Sequence, residues 1–247
     1  MGRFASTVAY YESARPPYGA AFFAAAARKL GLDRGQRLLD VGAGPGILTI
    51  GFAPYCREVL GIDPEPAMIE AARAAAERAG VAASFMEGRF EDVAASLGVF
   101  DVVAIGRAIH WLDPEPALAA LDRVVAPRGR ILVCGASSVK DGRNPWLDAF
   151  NAVRDRWKGA RPARDHHAFF AGGPFAPSGT IRVEATYAVP VERLAERVLS
   201  MSTSSSERLG DDVPAMKSAM REALAPFAAD GAIEDIVEAR AEVFERA

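Results

Sequence analysis

One stretch decides the fold of this chain: LLDVGAGPG, residues 38–46. It begins as an apolar strand and ends in a turn with glycine at every second position, Gly42, Gly44 and Gly46. Such a turn lets a ligand lie almost on the backbone, because no side chain stands in the way, and the amides at the start of the next helix point outward. Asp63 ends the next predicted strand, where its carboxylate can accept hydrogen bonds from two neighbouring ribose hydroxyls. Together these features predict a cofactor that contains a nucleoside.

Strands and helices alternate along the middle of the chain. The predicted strands are 37–41, 58–62, 83–87, 100–105 and 130–135. The predicted helices are near 19–30, 46–53, 66–79 and 114–125. Strongly apolar strands that alternate with helices favour a parallel sheet covered on both faces. The expected fold class is therefore α/β, with a doubly wound, Rossmann-like sheet.

The pattern changes after Ala136. Residues 137–179 are rich in glycine and proline and contain one predicted helix, about 146–157. A long irregular insertion after a strand is often a lid or a substrate wall, so we expect residues 137–179 to be a substrate lid. The elements predicted further along are a strand at 180–189 and helices at 191–201 and 212–229. The last segment, from Ile233 to Ala247, fits helical and strand spacing equally well.

The composition limits the classes of protein to which this chain can belong. The 247 residues fit one large domain, or one domain with a sub-domain. A net charge of −3 disfavours DNA or RNA as a partner. Two cysteines without metal-ligand spacing predict a reducing, cytoplasmic setting, and Glu12 and Arg15 interrupt any signal-peptide-like region. The apolar run from Ala20 to Ala27 is too short to span a bilayer, so no membrane partner is expected. The oligomeric state stays open.

The spacing of the glycines separates two kinds of nucleoside cofactor. A nicotinamide-binding turn would read Gly-x-Gly-x-x-Gly, whereas here Gly46 comes one residue early and Ile47 occupies the expected place. Asp40, just before the turn, can accept amide hydrogens from the loop or meet a cationic ligand directly or through water. Both features speak against an NAD-dependent oxidoreductase, which remains the alternative hypothesis.

On these residues the chain resembles the class I S-adenosylmethionine-dependent methyltransferases of the small-molecule type, the methyltransferase domain 11 family. Residues 38–46 match the family's first motif, 61–68 its second, 87–91 the segment that touches adenine, and 100–105 its fourth strand. The resemblance implies S-adenosyl-L-methionine as the cofactor. It also implies a seven-stranded, mostly parallel sheet with an antiparallel C-terminal strand, so we expect the ambiguous C-terminus to be a strand.

Two further segments resemble one branch of that family. The sequence AIHWLD, residues 108–113, is similar to a His-Trp-Phe-Asp signature, and Tyr11 with Arg15-Pro16 and Tyr18 resembles an N-terminal Tyr…Arg-Pro-x-Tyr segment. In such proteins the N-terminal segment closes over cofactor and substrate. We therefore expect a single methyltransferase domain over residues 1–247, with residues 1–30 as a helical cover.

The resemblance assigns the cofactor site. In that assignment Asp63 binds the ribose, Met68 and Phe90 neighbour the adenine or pack the core, and Arg15 pairs with a carboxylate of cofactor or substrate, since guanidinium grips carboxylates bidentately. The expected cofactor-binding residues are Tyr11, Arg15, Asp40, Gly42, Gly44, Gly46, Asp63, Pro64, Met68, Arg89, Phe90 and Arg107.

His110 is the candidate catalytic base. It follows the fourth strand, in the crevice where such sheets bind ligands, and imidazole can take a proton from a hydroxyl near neutral pH. Its alternative roles are to shape the pocket or to cap the following helix. The expected substrate-binding residues are Tyr18, Trp111, Trp146 and His167. No metal is expected, because adjacent histidines such as 166–167 seldom chelate one ion together and no third ligand is apparent.

The predicted activity is methylation of a small molecule by in-line displacement. The acceptor is expected to be an oxygen, either a hydroxyl, which favours a base such as His110, or a carboxylate, which needs none. A non-methylating S-adenosylmethionine-binding protein is the other alternative, beside the oxidoreductase.

Overall fold

The computed structural model describes residues 14–159, 166–201 and 203–247. The strands are β1 (Arg37–Val41), β2 (Glu58–Asp63), β3 (Ser84–Glu87), β4 (Phe100–Gly106), β5 (Val125–Ser138), β6 (Phe175–Pro190) and β7 (Ala232–Arg246). The helices are α1 (Ala20–Leu30), α2 (Ile47–Phe52), α3 (Pro66–Ala79), α4 (Phe90–Val93), α5 (Pro114–Val124), α6 (Leu147–Trp157), α7 (His166–Phe170), α8 (Val191–Leu199), α9 (Ser206–Leu209) and α10 (Val213–Leu224). Short 3-10 turns lie at Ala53–Tyr55, Ala94–Ser96, Ile109–Trp111, Gly210–Asp212 and Ala225–Phe227.

The strands form one seven-stranded sheet in the order β3-β2-β1-β4-β5-β7-β6. β1 pairs in parallel with β2 and β4, and Leu39 lies opposite Leu60 on one side and Val103 on the other. β3 and β5 continue the parallel part of the sheet, and the C-terminal strands are antiparallel. The predicted fold class is confirmed, and the ambiguous C-terminus is strand β7.

β1 is an interior strand of the sheet, because residues 38–41 are either apolar or, in the case of Asp40, hydrogen-bonded in the interior. Leu38, Leu39 and Val41 are fully buried, as expected for a strand covered on both faces. The helix that follows β2 starts with Pro66 at its first turn and ends at Gly80 in the left-handed conformation, the usual punctuation of a helix.

Several predicted boundaries were wrong by a few residues. The predicted helix 212–229 ends at Leu224, because Pro226 follows within a 3-10 turn and cannot continue the helix. The predicted strands 130–135 and 180–189 extend to Val125–Ser138 and Phe175–Pro190. Residues 175–179, which we expected to be irregular, are therefore strand.

Contacts divide the described chain into two compact units. Unit 1 holds the described residues up to Pro17, residues 136–159 and Glu184–Glu238. Unit 2 holds Tyr18–Gly135, residues 166–183 and Ala239–Ala247. Each unit has its own hydrophobic core, around Trp146 in unit 1 and around Phe100 in unit 2. Among the described residues, every helix is too short or too polar to cross a bilayer.

Candidate functional site

The glycine turn after β1 adopts the backbone that its sequence predicts. Gly42, Gly44 and Gly46 have φ angles of +68°, +54° and +83°. These angles lie in the left-handed region, which residues with a β carbon rarely adopt. Three alternate glycines thus bend the chain sharply between the strand and α2.

Two of these glycines serve packing. A β carbon on Gly42 would lie 2.4 Å from the β carbon of Ala108. One on Gly46 would lie 3.1 Å from the side chains of Ala72 and Phe85. These positions are therefore closed to any larger residue by the protein itself, whatever ligand binds there.

Gly44 is different, because space beside it is open. A β carbon there would meet no described atom closer than the sulfur of Met68, 4.0 Å away. The Gly44 N–H donates to Asp63 Oδ2 at 2.9 Å. The Gly44 peptide is therefore the place in the turn where a ligand can approach the backbone closely.

Asp63 links the glycine turn to the end of β2. Its Oδ2 accepts the Gly44 N–H, and its Oδ1 accepts the Glu65 N–H at 3.0 Å. Burial raises the pKa of Asp63, and the backbone hydrogen bonds from Glu65 and Gly44 oppose the rise. Each carboxylate oxygen has lone pairs for a further bond, so the fixed carboxylate can also accept two vicinal hydroxyls.

Asp40 lies at the end of β1 and is almost completely buried, with 1% of its surface exposed. Its Oδ2 accepts hydrogen bonds from the Thr49 backbone N–H at 3.0 Å and from the Thr49 hydroxyl at 2.7 Å. Its Oδ1 is buried without a hydrogen-bond partner in the described part of the chain. Burial raises the pKa of Asp40 to about 7, although the bonds from Thr49 lower it. An orphaned buried acceptor of this kind fits a cationic amino group.

Thr49 is a site residue that the sequence did not single out. It lies on α2 and is fully buried, and both of its donors point to Asp40. The signal was a hydroxyl residue in the first turn of the helix after an acidic strand end, where free N–H groups and a hydroxyl can meet a carboxylate.

The residues expected near adenine are in several environments. Met68 is buried and is the nearest side chain to the open space at Gly44. Pro64 is exposed in the turn before α3. Phe90 is 3% exposed and belongs to the hydrophobic core of unit 2, and Arg89 is largely exposed and lies 4.0 Å from Glu91. The described contacts thus favour a packing role for Phe90, and adenine contact stays a prediction for these four residues.

The structure brings two of the predicted residues together after β4. Arg107 has a φ of +58°, unusual for a residue with a side chain, and its N–H donates to the Cys134 carbonyl at 3.2 Å. Its guanidinium carbon lies 5.0 Å from the ring centroid of Tyr18, which is buried against Phe22. The strained backbone at Arg107 is the kind of feature that clusters at functional sites.

His110 and Trp111 form the next turn. They lie in the 3-10 turn Ile109–Trp111, which the buried side chain of Ile109 anchors. The ring centroids of His110 and Trp111 are 4.8 Å apart, and Trp111 is 44% exposed. This turn thus places an exposed tryptophan beside a half-buried histidine.

Two of the predicted site residues, Arg15 and Trp146, donate hydrogen bonds within unit 1. Arg15 donates from Nη2 to the Ser200 carbonyl at 2.7 Å. Trp146 is 1% exposed, and its indole N–H donates to the Glu234 carbonyl at 3.0 Å. Its burial favours a core role for Trp146 over the predicted substrate contact. Tyr11 lies outside the described residues.

His167 has partners that the sequence did not reveal. Its Nε2 lies 3.1 Å from Glu242 Oε2, and His166 contacts the same oxygen. Glu242 belongs to β7, far along the chain, so no local pattern could have shown this group. The predicted substrate contact of His167 stays a prediction.

Comparisons with known proteins identify the family and the fold of the chain. The family model described as "Methyltransferase domain" matches residues 39–133. An uncharacterized methyltransferase of Mycobacterium tuberculosis is 30% identical over 203 residues, which cover 81% of this chain and 76% of that protein. A ubiquinone biosynthesis O-methyltransferase of Cereibacter sphaeroides is 34% identical over 125 residues, about half of each chain (50% and 49%).

Solved structures share the fold. A SAM-dependent methyltransferase of Thiobacillus denitrificans, solved in complex with S-adenosyl-L-homocysteine, superposes with a TM-score of 0.57 at 17% identity. The superposition covers 100% of this chain and 99% of that one. At this identity the likeness concerns the fold.

Proposed function

Because the chain belongs to the family of S-adenosylmethionine-dependent methyltransferases, we propose that it methylates an oxygen atom of a small molecule. The observation that carries the proposal is the open Gly44 peptide fixed to Asp63 by the 2.9 Å hydrogen bond. This pair leaves room for a ligand at the backbone beside a carboxylate suited to a ribose.

The chemical groups around the turn match the parts of S-adenosylmethionine. Asp63 accepts hydroxyl hydrogen bonds, and the orphaned Asp40 Oδ1 suits the ammonium group of the methionine part, directly or through water. Met68 offers an apolar surface beside Gly44. These three groups would hold ribose, amino acid and base edge respectively.

The cofactor, when bound, supplies an electrophilic methyl group, whose bond to a positively charged sulfur would break as the nucleophile of the acceptor bonds to the methyl carbon in line. The protein's task is to align the acceptor and to exclude water. His110 would take the proton of a hydroxyl acceptor, and the exposed face of Trp111 would position it. A carboxylate acceptor needs no base, and Arg107 would then orient it.

An oxygen acceptor is supported by chemistry and by one relative. The half-buried imidazole after β4 suits a hydroxyl, and the C. sphaeroides relative carries the name of an O-methyltransferase. That relative matches about half of this chain, so the support concerns the type of reaction and leaves the acceptor molecule open.

Calorimetry tests the cofactor first. Titration of the protein with S-adenosylhomocysteine and, separately, with NAD⁺ should give binding of the first alone. Asp63→Asn should weaken that binding at least about tenfold, or 1.4 kcal/mol. Binding of NAD⁺ instead would overturn the proposal in favour of the oxidoreductase.

Incubation with methyl-labelled S-adenosylmethionine and a metabolite extract tests the reaction. We expect label in one or a few small molecules and a methyl ester or ether by mass spectrometry. Cofactor binding without any transfer across extracts would favour the non-methylating alternative, and label on nitrogen or carbon would refute the oxygen acceptor.

A further inference from the structure

Three side chains with metal-binding atoms converge in unit 2. His166 and His167 begin α7, and Glu242 lies on β7. His166 Nε2 contacts Glu242 Oε2 directly, and His167 Nε2 lies 3.1 Å from the same oxygen. One ligand atom from each residue lies within 4.8 Å of the other two.

The two histidines share an orientation that a regular helix would not give them. Successive residues of a helix point about 100° apart, yet these ring centroids are 4.7 Å apart and their planes differ by 32°. His166 is the first residue of α7, where the chain enters the helix. Both rings therefore present the same nitrogen to one carboxylate.

Aromatic side chains support the rings from the core. The ring centroid of Phe244 lies 6.5 Å from that of His166 and 6.1 Å from that of His167. Phe170 in turn stacks on Phe244 at 4.2 Å. The donor atoms are thus held by packed neighbours, so binding an ion would require little ordering of side chains.

Although no metal is expected from the sequence, the fold supplies Glu242 as a third ligand, and we propose that His166, His167 and Glu242 bind a divalent transition-metal ion, with zinc as the best match. Two imidazole nitrogens and one carboxylate oxygen are a ligand set that zinc accepts, with water in the fourth position. With metal–ligand distances of about 2.0–2.2 Å, tetrahedral ligand atoms lie roughly 3.3–3.6 Å apart. His167 Nε2 and Glu242 Oε2, at 3.1 Å, are slightly closer than this, so a small outward movement of the side chains would admit the ion.

The site shares no residue with the proposed cofactor site or with the candidate base His110, although the sequence predicts that His167 contacts the substrate. None of its three residues belongs to the glycine turn, to Asp63 or to the turn after β4. In the part of the chain that the structure describes, it is the one group of three such residues whose ligand atoms converge. Both cysteines, Cys56 and Cys134, are buried and offer no competing thiolate at the surface. An ion here would join α7 to β7 and stabilise unit 2.

Metal binding is measured directly on untagged, full-length protein after removal of metals with a chelator. Calorimetric titration with Zn²⁺ should show one ion per chain, and titration with Co²⁺ should give the visible absorption of a low-symmetry site. The expected thermal response is a higher unfolding temperature with Zn²⁺ than with Mg²⁺, because an ion that binds the folded state stabilises it.

The chain contains three histidines, and the third supplies a matched control. His167→Ala and Glu242→Gln should each weaken Zn²⁺ binding by more than the roughly 10–100-fold that outer-shell partners contribute. His110→Ala should leave the affinity unchanged. Circular dichroism of each variant establishes that it is folded, and Glu242→Gln keeps the shape of the side chain should the histidine variant be unstable.

Two results would overturn the proposal. One is the absence of stoichiometric Zn²⁺ or Co²⁺ binding by the folded wild-type protein, which would leave the group as a hydrogen-bonded histidine–carboxylate cluster. The other is binding that persists unchanged in His167→Ala and Glu242→Gln, which would be adventitious. Neither depends on whether the protein transfers methyl groups.

Discussion

At the scale of single residues, the proposed cofactor site depends on the lack of a side chain at Gly44. Gly42 and Gly46 are closed by Ala108, Ala72 and Phe85, whereas Gly44 faces open space. The same sequence pattern thus contains two packing glycines and one glycine that a ligand can approach. Their roles differ although their backbone conformations are alike.

Gly44→Ala should separate ligand binding from stability. The new β carbon would touch only Met68, at 4.0 Å, so the loss of stability should be the roughly 1–2 kcal/mol of a left-handed alanine. Binding of S-adenosylhomocysteine should weaken at least about tenfold. Gly31→Ala is the matched control, since Gly31 has φ +67° and nothing within 4 Å. It should lose similar stability and keep full affinity; equal affinity in both variants would disprove the role of Gly44.

Asp40 should make stability fall as pH rises. Its pKa in the folded protein is about 7 because it is buried, against about 3.9 in an unfolded chain. Between about pH 4 and 7 the folded state holds a proton that the unfolded state has released, so the free energy of unfolding decreases through this window.

Asp40→Asn removes that proton and keeps an oxygen for Thr49. Denaturant unfolding of the ligand-free protein at pH 5 and pH 8 should show that wild type loses on the order of 2 kcal/mol more than the variant between the two values. The same pH dependence in both proteins would contradict a buried, proton-binding Asp40.

Much of the candidate site could be predicted from sequence, because its glycine turn and its acidic strand ends are local patterns. The glycine turn, Asp40 and Asp63 follow one another at fixed spacings along two neighbouring strands, and the sheet brings them together. Thr49 was missed because its role depends on the depth at which α2 packs. Glu242 could not be found, because its partners lie on α7 and only the tertiary fold brings them together.

At the scale of elements, α2 is fixed against α1 by a close contact. Gly51 lies in α2, and a β carbon there would be 2.1 Å from Cζ of Phe23 in α1. Phe23 also makes an edge contact with Phe52, at 5.0 Å between centroids. The helix that begins at the glycine turn therefore lies directly on an aromatic surface.

Gly51→Ala should destabilise the protein although alanine is the better helix former. The higher helix propensity of alanine would add about 1 kcal/mol to the stability, but overpacking by the new methyl group should cost about 1–3 kcal/mol. At the upper end of that range, where the 2.1 Å approach to Phe23 places this site, the net loss is about 2 kcal/mol. Thermal or urea unfolding measures the difference. Phe23→Leu in the same background should recover part of the loss, and a stabilised single variant would show that α1 and α2 are not in this contact.

Element types were easier to predict than element ends. Periodicity revealed the parallel strands because they are apolar throughout. It could not resolve β7, because Ile233, Val237 and Phe244 fit helical spacing while Val237, Ala239 and Val243 fit strand alternation, and the family resemblance gave the answer. The early part of β6, residues 175–179, was missed because proline and glycine there have the composition of a loop.

At the scale of the whole molecule, one buried arginine forms hydrogen bonds with parts of unit 1 that lie far apart in the sequence. Arg197 donates to the Ala14 carbonyl at 2.9 Å, to the Ser138 hydroxyl at 3.2 Å and to Asp235 Oδ2 at 3.0 Å. Its side chain is 5% exposed and that of Asp235 is 0% exposed. Removing either partner would leave a charge without compensation in the interior.

Arg197→Met should therefore lower the free energy of unfolding by about 3–5 kcal/mol. Arg143→Met is the control, because its ion pair with Glu184 is exposed to solvent and should contribute little to stability. Replacing Asp235 by Leu together with Arg197→Met should restore much of the loss. Chemical denaturation measures all three, and equal losses at 197 and 143 would refute the importance of the buried pair.

The contact between Gly42 and Ala108 has a consequence for anyone who redesigns this protein. The turn at Gly42 and the segment that begins at Ala108 meet with no room for another carbon atom, since a β carbon on Gly42 would lie 2.4 Å from that of Ala108. A library that seeks new acceptors can vary the exposed Trp111, but every member with a side chain at position 42 must also displace Ala108. Residue 42 should therefore stay glycine in such a library, and the variation belongs at other positions.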